Sequence, residues 1–158
     1  MIAPGFGELA EQLRRSTVQV RVDEGRGGAG SGVIWNQQGR IVSNAHVVRG
    51  SSVEVEFWDG HVAKARLLRR EERRDLALLE VDRNDLPAAQ WADSSLLRRG
   101  EGLMAVGNPL GFVGALSTGV VHAVGPHQNL GKQPWVQAQI RLAPGNSGGA
   151  LANAVGAV

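Results

Sequence analysis

The chain has no cysteine among its 158 residues, which excludes a disulfide framework and any thiolate metal site. Its four histidines, His46, His61, His122 and His127, show no metal-ligand spacing, so neither a metal nor another cofactor is expected. No run of 18 apolar residues occurs; the longest apolar stretch, residues 103–116, is broken by Asn108-Pro109 and by glycines, so no helical membrane span is expected. The N-terminus lacks the basic start, apolar centre and small-residue cleavage site of an export signal. Charge of one sign is also scarce: the net charge is +2. The arginines come as Arg14-Arg15, Arg69-Arg70, Arg73-Arg74 and Arg98-Arg99, interleaved with Glu71, Glu72 and Glu101. No aromatic residues lie among them to stack on bases. They read as a solvated mixed surface, and nucleic acid is not expected as a partner.

What is present favours strands. Twenty-two glycines and few long helical patterns point to an all-β architecture with many turns. A chain of this length can bury roughly 68–70% of its unfolded surface, enough for one domain or two small barrels sharing an interface. Residues 8–15 read as a short helix, with acids early, bases late and Leu9 and Leu13 one turn apart. Strands are expected over residues 17–22, 32–35, 41–43, 53–57, 62–67 and 76–81, a set of six. The glycine-rich residues 25–30 are followed by a strand and not by a helix N-terminus, so they are not a phosphate cradle. Residues 84–100 are polar and proline-containing, which suits a connector. Beyond it residues 103–106, 115–124, 135–138 and 150–152 read as further strands. The expected organisation is an arm and short helix (1–16), a first barrel (17–83), a connector (84–100) and a second barrel (101–158).

The chemistry-bearing residues lie at element ends. Ala143-Pro144-Gly145-Asn146-Ser147-Gly148-Gly149 embeds a serine in glycines, a turn able to present a hydroxyl and bare backbone N–H groups to one point. His46 ends the apolar run that starts at Ile41, and Asp75 opens the run that ends at Val81. Taken singly, each has an ordinary reading: a surface turn, a structural histidine, a cap. Together they supply a nucleophile, a base and an orienting carboxylate, in the chain order His, Asp, Ser found in chymotrypsin-like proteases.

With these blocks the chain resembles the HtrA/Deg-type trypsin-like serine proteases. The resemblance rests on Gly30-Ser31-Gly32-Val33-Ile34, Gly39-Arg40-Ile41-Val42-Ser43-Asn44-Ala45-His46-Val47-Val48 and Asp75-Leu76-Ala77-Leu78-Leu79. It continues through Val106-Gly107-Asn108-Pro109-Leu110-Gly111, Ser117-Thr118-Gly119-Val120-Val121 and Pro144-Gly145-Asn146-Ser147-Gly148-Gly149, in the family's order. It implies two six-stranded antiparallel β-barrels of the chymotrypsin type, with His46 as general base and acid, Asp75 as orienting carboxylate and Ser147 as nucleophile. Gly145 and Ser147, with help from Asn146, would form the oxyanion site. Leu142, Ala143 and Pro144 would line the substrate pocket, whose lack of charge favours small or medium aliphatic residues. Polypeptides, unfolded or misfolded, would be the substrates. Family members mostly work outside the cytoplasm and often form trimers through the N-terminal segment, where Ile2 and Phe6 are the apolar residues; on their own these two read as a frayed terminus. Two departures stand out. Gln139, eight residues before Ser147, stands where the family usually carries an acid. The last residue, Val158, follows Ser147 by eleven positions, so the second barrel is expected to lack its last strands. The alternative to a peptidase is a weakly active or inactive chain that binds unfolded segments through an open sheet edge.

Overall fold

The computed structural model describes residues 5–21, 29–109 and 112–158; Ile2 and residues 25–28 of the glycine-rich stretch lie outside them. Helix α1 (Phe6–Arg15) leads into β1 (Thr17–Arg21), followed by β2 (Ala29–Ile34), β3 (Arg40–Ser43), β4 (Ser52–Glu56), β5 (Val62–Glu71) and β6 (Leu76–Glu80). These six strands close a barrel in the order β1-β2-β3-β6-β5-β4, every pair antiparallel. Alternation along the strands fills it: Val18 and Val20, Val53 and Val55, and Ala77 and Leu79 point inward with Ile34, Ile41 and Phe57. After the segment that follows β6, β7 (Gly102–Gly107), β8 (Ala115–Pro126), β9 (Pro134–Ile140) and β10 (Ala150–Asn153) form a second antiparallel sheet, ordered β10-β7-β8-β9. Among the described residues this sheet has four strands and is open.

In the barrel, β2 and β5 run well beyond their sequence pattern, for reasons of backbone pairing. Strand β2 starts at Ala29 because β1 pairs with it out to Arg21↔Ala29. Strand β5 continues past a bulge between Leu67 and Arg69, so that Arg70 lies opposite Ala77 and Glu71 opposite Leu76. The arginines there were expected to be only solvated surface. Arg70 instead sits in the ladder, part-buried.

Helix α1 docks through Leu9 and Leu13, which are buried with Met104 and Val106 of β7 and Ala150 and Ala152 of β10. The Arg14 and Arg15 guanidiniums hold the half-exposed Glu11 carboxyl down to about 2, with Arg14 the larger influence. Arg14 also donates to Trp58 O at 3.2 Å, tying the helix to the β4–β5 hairpin. Residues between the sheets are not a slack tether. Leu86 is buried in the barrel core, Ala89 N–H donates to Ile34 O (2.9 Å), and Ala92 and Val158 are joined through Ala92 N–H to Val158 O (2.9 Å). Trp91 packs on Trp35 with ring centroids 4.4 Å apart and donates its indole N–H to Trp35 O.

Candidate active site

His46 follows the last residue of β3 and Asp75 precedes the first of β6; because these strands are antiparallel, with Ser43 opposite Ala77, both residues stand at the same end of the ladder, on the barrel's rim. Past the end of β3, Asn44 O accepts from Val47 N–H (3.1 Å) and Val48 N–H (3.3 Å), winding a single turn that projects His46 outward. Asp75 follows a short 3₁₀ turn, Glu72–Arg74, and takes up φ 53°, ψ 46°. That left-handed conformation is costly for most L-residues, and aspartate is among those that tolerate it. It aims the carboxylate at His46 with both oxygens engaged: Oδ1 accepts from His46 N–H (2.9 Å) and Oδ2 lies 2.6 Å from His46 Nδ1. Asn44 closes the arrangement by donating Nδ2–H to Asp75 O at 2.8 Å. A carboxylate on Nδ1 places the proton there and leaves Nε2 as the ring's acceptor. The ring is accessible, its side chain 59% exposed.

Ser147 lies on a turn carried by the second sheet. Asn146 N–H donates to Ala143 O (3.1 Å) across Pro144 and Gly145, and Gly145 has φ +103°. Proline second and a positive-φ glycine third define a type II turn, whose middle peptide is rotated by about 180° from its type I setting. Asn146 Nδ2 also donates to Ala143 O (3.2 Å), so both donors of this residue close the turn. Among the described residues the N–H groups of Gly145 and Ser147 donate to no protein acceptor. Both remain available to a ligand.

The turn is seated against the barrel. Ser31 N–H on β2 donates to Ser147 O (2.8 Å), and Ser31 Oγ lies 2.7 Å from Gly145 O. Gly148, at φ +82°, passes so close to β2 that a Cβ would come within 2.1 Å of Ser31 O and 2.5 Å of Ser43 Oγ. Ser43 is the last residue of β3, three positions before His46. The serine turn and the histidine turn therefore stand on the ends of neighbouring strands. Among the described residues the Ser147 hydroxyl makes no hydrogen bond with the His46 ring; such contacts in unliganded sites often close only around substrate. Of the residues expected to line a pocket, Leu142 is 55% exposed, Pro144 is exposed and Ala143 is half-buried at the start of the turn.

Several supporting residues were not singled out from sequence. Ser31 and Asn108 stand in blocks that carry the family resemblance, yet nothing local showed that they would face each other across the two sheets. Arg70 is another: its guanidinium donates to Ala45 O (3.3 Å), Val48 O and Gly50 O (3.5 Å), gathering the carbonyls of the turn that bears His46. A basic pair beside acids gives no sign of that from sequence.

Comparison with known proteins places the fold. The trypsin-like peptidase domain family matches residues 30–158. A probable periplasmic serine endoprotease DegP-like of Hahella chejuensis is 39% identical over 133 residues, covering 82% of this chain and 28% of its own length. The protein of the same description from Halomonas elongata is 36% identical over 158 residues, covering 97% of this chain and 33% of its own. Among solved structures, the HtrA-type protease AlgW with tripeptide superposes with a TM-score of 0.90 at 29% identity, over 98% of this chain and 52% of that one. The chain thus spans about a third or less of these curated relatives and about half of the solved structure.

Proposed function

The chain belongs to the trypsin-like peptidase domain family, and on that premise we propose that it is the catalytic part of an HtrA/Deg-type serine endopeptidase acting on unfolded or misfolded polypeptides. The observation that carries the reading is the Asp75 carboxylate on His46, with one oxygen on the backbone N–H and the other 2.6 Å from Nδ1. Asp75 fixes ring orientation and tautomer, so that Nε2 is the base. Ser147 Oγ attacks the substrate carbonyl carbon as His46 Nε2 takes the hydroxyl proton. The carbonyl π-bond opens to an oxyanion, which accepts hydrogen bonds from Gly145 N–H and Ser147 N–H, while Asn146 keeps the turn in shape. Collapse breaks the C–N bond, the protonated imidazole gives its proton to the leaving amine, and water releases the acyl group by the same base.

The uncharged residues Leu142, Ala143 and Pro144 suit a small or medium aliphatic side chain at the cleaved position. The relatives' descriptions as periplasmic support a setting outside the cytoplasm. Phe6, 59% exposed at the start of α1, would serve the homotrimer that the resemblance implies.

The test is labelling with a fluorophosphonate probe, followed by peptide-library profiling. Stoichiometric labelling that is lost in Ser147→Ala, with cleavage after Val, Ala or Leu, is expected. A wild-type chain that binds unfolded protein but takes no label would overturn the reading in favour of a binding module.

A further inference from the structure

We propose that Ser31 is a positioning residue that holds the oxyanion turn in its productive form; this rests on the peptidase reading for its functional consequence, but not for its geometry. Ser31 has no solvent exposure and Asn108, at the end of β7, has 2%. Asn108 N–H lies 2.9 Å and Asn108 Nδ2 3.2 Å from Ser31 Oγ, and both are donors. With its lone pairs taken by Asn108, the hydroxyl has one direction left for its single proton. It goes to Gly145 O, 2.7 Å away.

Asn108 is itself fixed: Oδ1 accepts from Gly114 N–H (3.0 Å) and Nδ2 also donates to Val18 O (3.1 Å) on β1. The amide orientation follows from this pair of partners, one a donor and one an acceptor. Ser31 O accepts from Ser43 Oγ (2.6 Å), and Ser31 N–H holds Ser147 O (2.8 Å). A single residue of the barrel thus grips the serine turn at two carbonyls, those of Gly145 and Ser147, which flank Asn146. A change of turn form flips the Pro144–Gly145 peptide, which carries Gly145 N–H, about the φ bond of Gly145, so the flip needs the Gly145–Asn146 peptide to hold still or to follow. Tying Gly145 O to a hydroxyl whose proton has nowhere else to go fixes the plane of the Gly145–Asn146 peptide, and with it the frame that sets φ of Gly145 and so the direction of its N–H. Without that hydroxyl, Gly145 O and Asn108 N–H both lose their partner, and displacement of the Gly145–Asn146 peptide to find another one carries the Gly145 N–H out of line.

The experiment compares Ser31→Ala and the near-isosteric Ser31→Cys, whose S–H is a weak donor, with Thr17→Val. Thr17 Oγ1 donates to Leu13 O (2.7 Å) at a buried position remote from the turn, so it reports the cost of losing a buried hydroxyl elsewhere. Two readouts are taken on the chain: kcat and KM on an aliphatic p-nitrophenyl ester, and amide exchange of Asn146, whose N–H closes the turn. Ser31→Ala is expected to lower kcat about 10- to 100-fold with KM held, a partial loss of an oxyanion donor. Its Asn146 amide should exchange at least about tenfold faster than in Thr17→Val at matched global stability. Ser31→Cys should fall between parent and alanine in both. Unchanged Asn146 exchange overturns the proposal, and so does a kcat equal to that of Thr17→Val. If the parent chain turns over no ester, the peptidase reading fails, while the exchange comparison still decides whether Ser31 holds the turn.

Discussion

Replacing Gly145 by alanine separates the chemistry of the serine turn from its stability. At φ +103° an L-residue is strained by about 1–2 kcal/mol. The new Cβ would also lie 2.4 Å from Asn108 O and 2.9 Å from Pro109 Cα, both backbone atoms that cannot yield as a side-chain end would. Overpacking of this kind costs about 1–3 kcal/mol. The sum, about 2–5 kcal/mol, equals or exceeds what the two hydrogen bonds from Asn146 that close the turn supply, typically about 1 kcal/mol each. The turn should therefore leave the type II form, while the closed barrel, whose core does not include it, stays folded. Rotating the middle peptide withdraws Gly145 N–H from the side on which the oxyanion forms. Loss of one such donor lowers kcat about 10²- to 10³-fold, equivalent to about 2.7–4 kcal/mol of transition-state stabilisation. KM should change little, because the interaction strengthens only as charge develops on oxygen. The assay is stopped-flow acylation by an aliphatic p-nitrophenyl ester with active-site titration, beside thermal unfolding. A variant retaining kcat/KM within about threefold of the parent would refute the assignment of Gly145 as donor.

Glu11→Gln should weaken the docking of α1 in a pH-dependent way. The carboxyl is held below its ordinary value of 4.5, at about 2, first by Arg14 and then by Arg15, so its contribution is complete above pH 4.5 and is lost as pH falls through 2. The difference in Tm between parent and variant should be present at pH 7 and close between pH 4.5 and 2; a difference that persists unchanged at pH 2 speaks against the ion pair. Arg70→Met removes the donors gathered on Ala45 O, Val48 O and Gly50 O and should lower kcat about tenfold through displacement of His46, with Arg70→Lys restoring part of it. Parent-like kcat in Arg70→Met would show that Asp75 alone suffices to place the imidazole.

What the sequence disclosed and what it concealed divide along a physical line. Strands β1 and β4 alternate apolar and polar residues with period two, and that pattern follows from one buried face alone. The turn around Ser147 was legible for a similarly local reason, since Pro, Gly, Asn and Ser are turn residues, while its type II form and the positive φ of Gly145 came with the structure. The union of Asp75 with His46 was accessible only as a matter of residue types and chain order, because 29 positions separate them and no local rule fixes the distance. Ser31 marks the limit. As a small polar residue between Gly30 and Gly32 it carries no amphipathic signal, and its role exists only once β2 meets β7 and the serine turn. Its hydroxyl links residues 77 and 114 positions away, Asn108 and Gly145. Arg70 is hidden in another way: within a run of alternating charges it reads as solvent-facing, and only the bulge that extends β5 brings its guanidinium under the His46 turn. Residues that perform chemistry are constrained in type and so leave a mark in the sequence. Residues that hold them are constrained by partners from other strands, and their part becomes visible when the sheets are assembled.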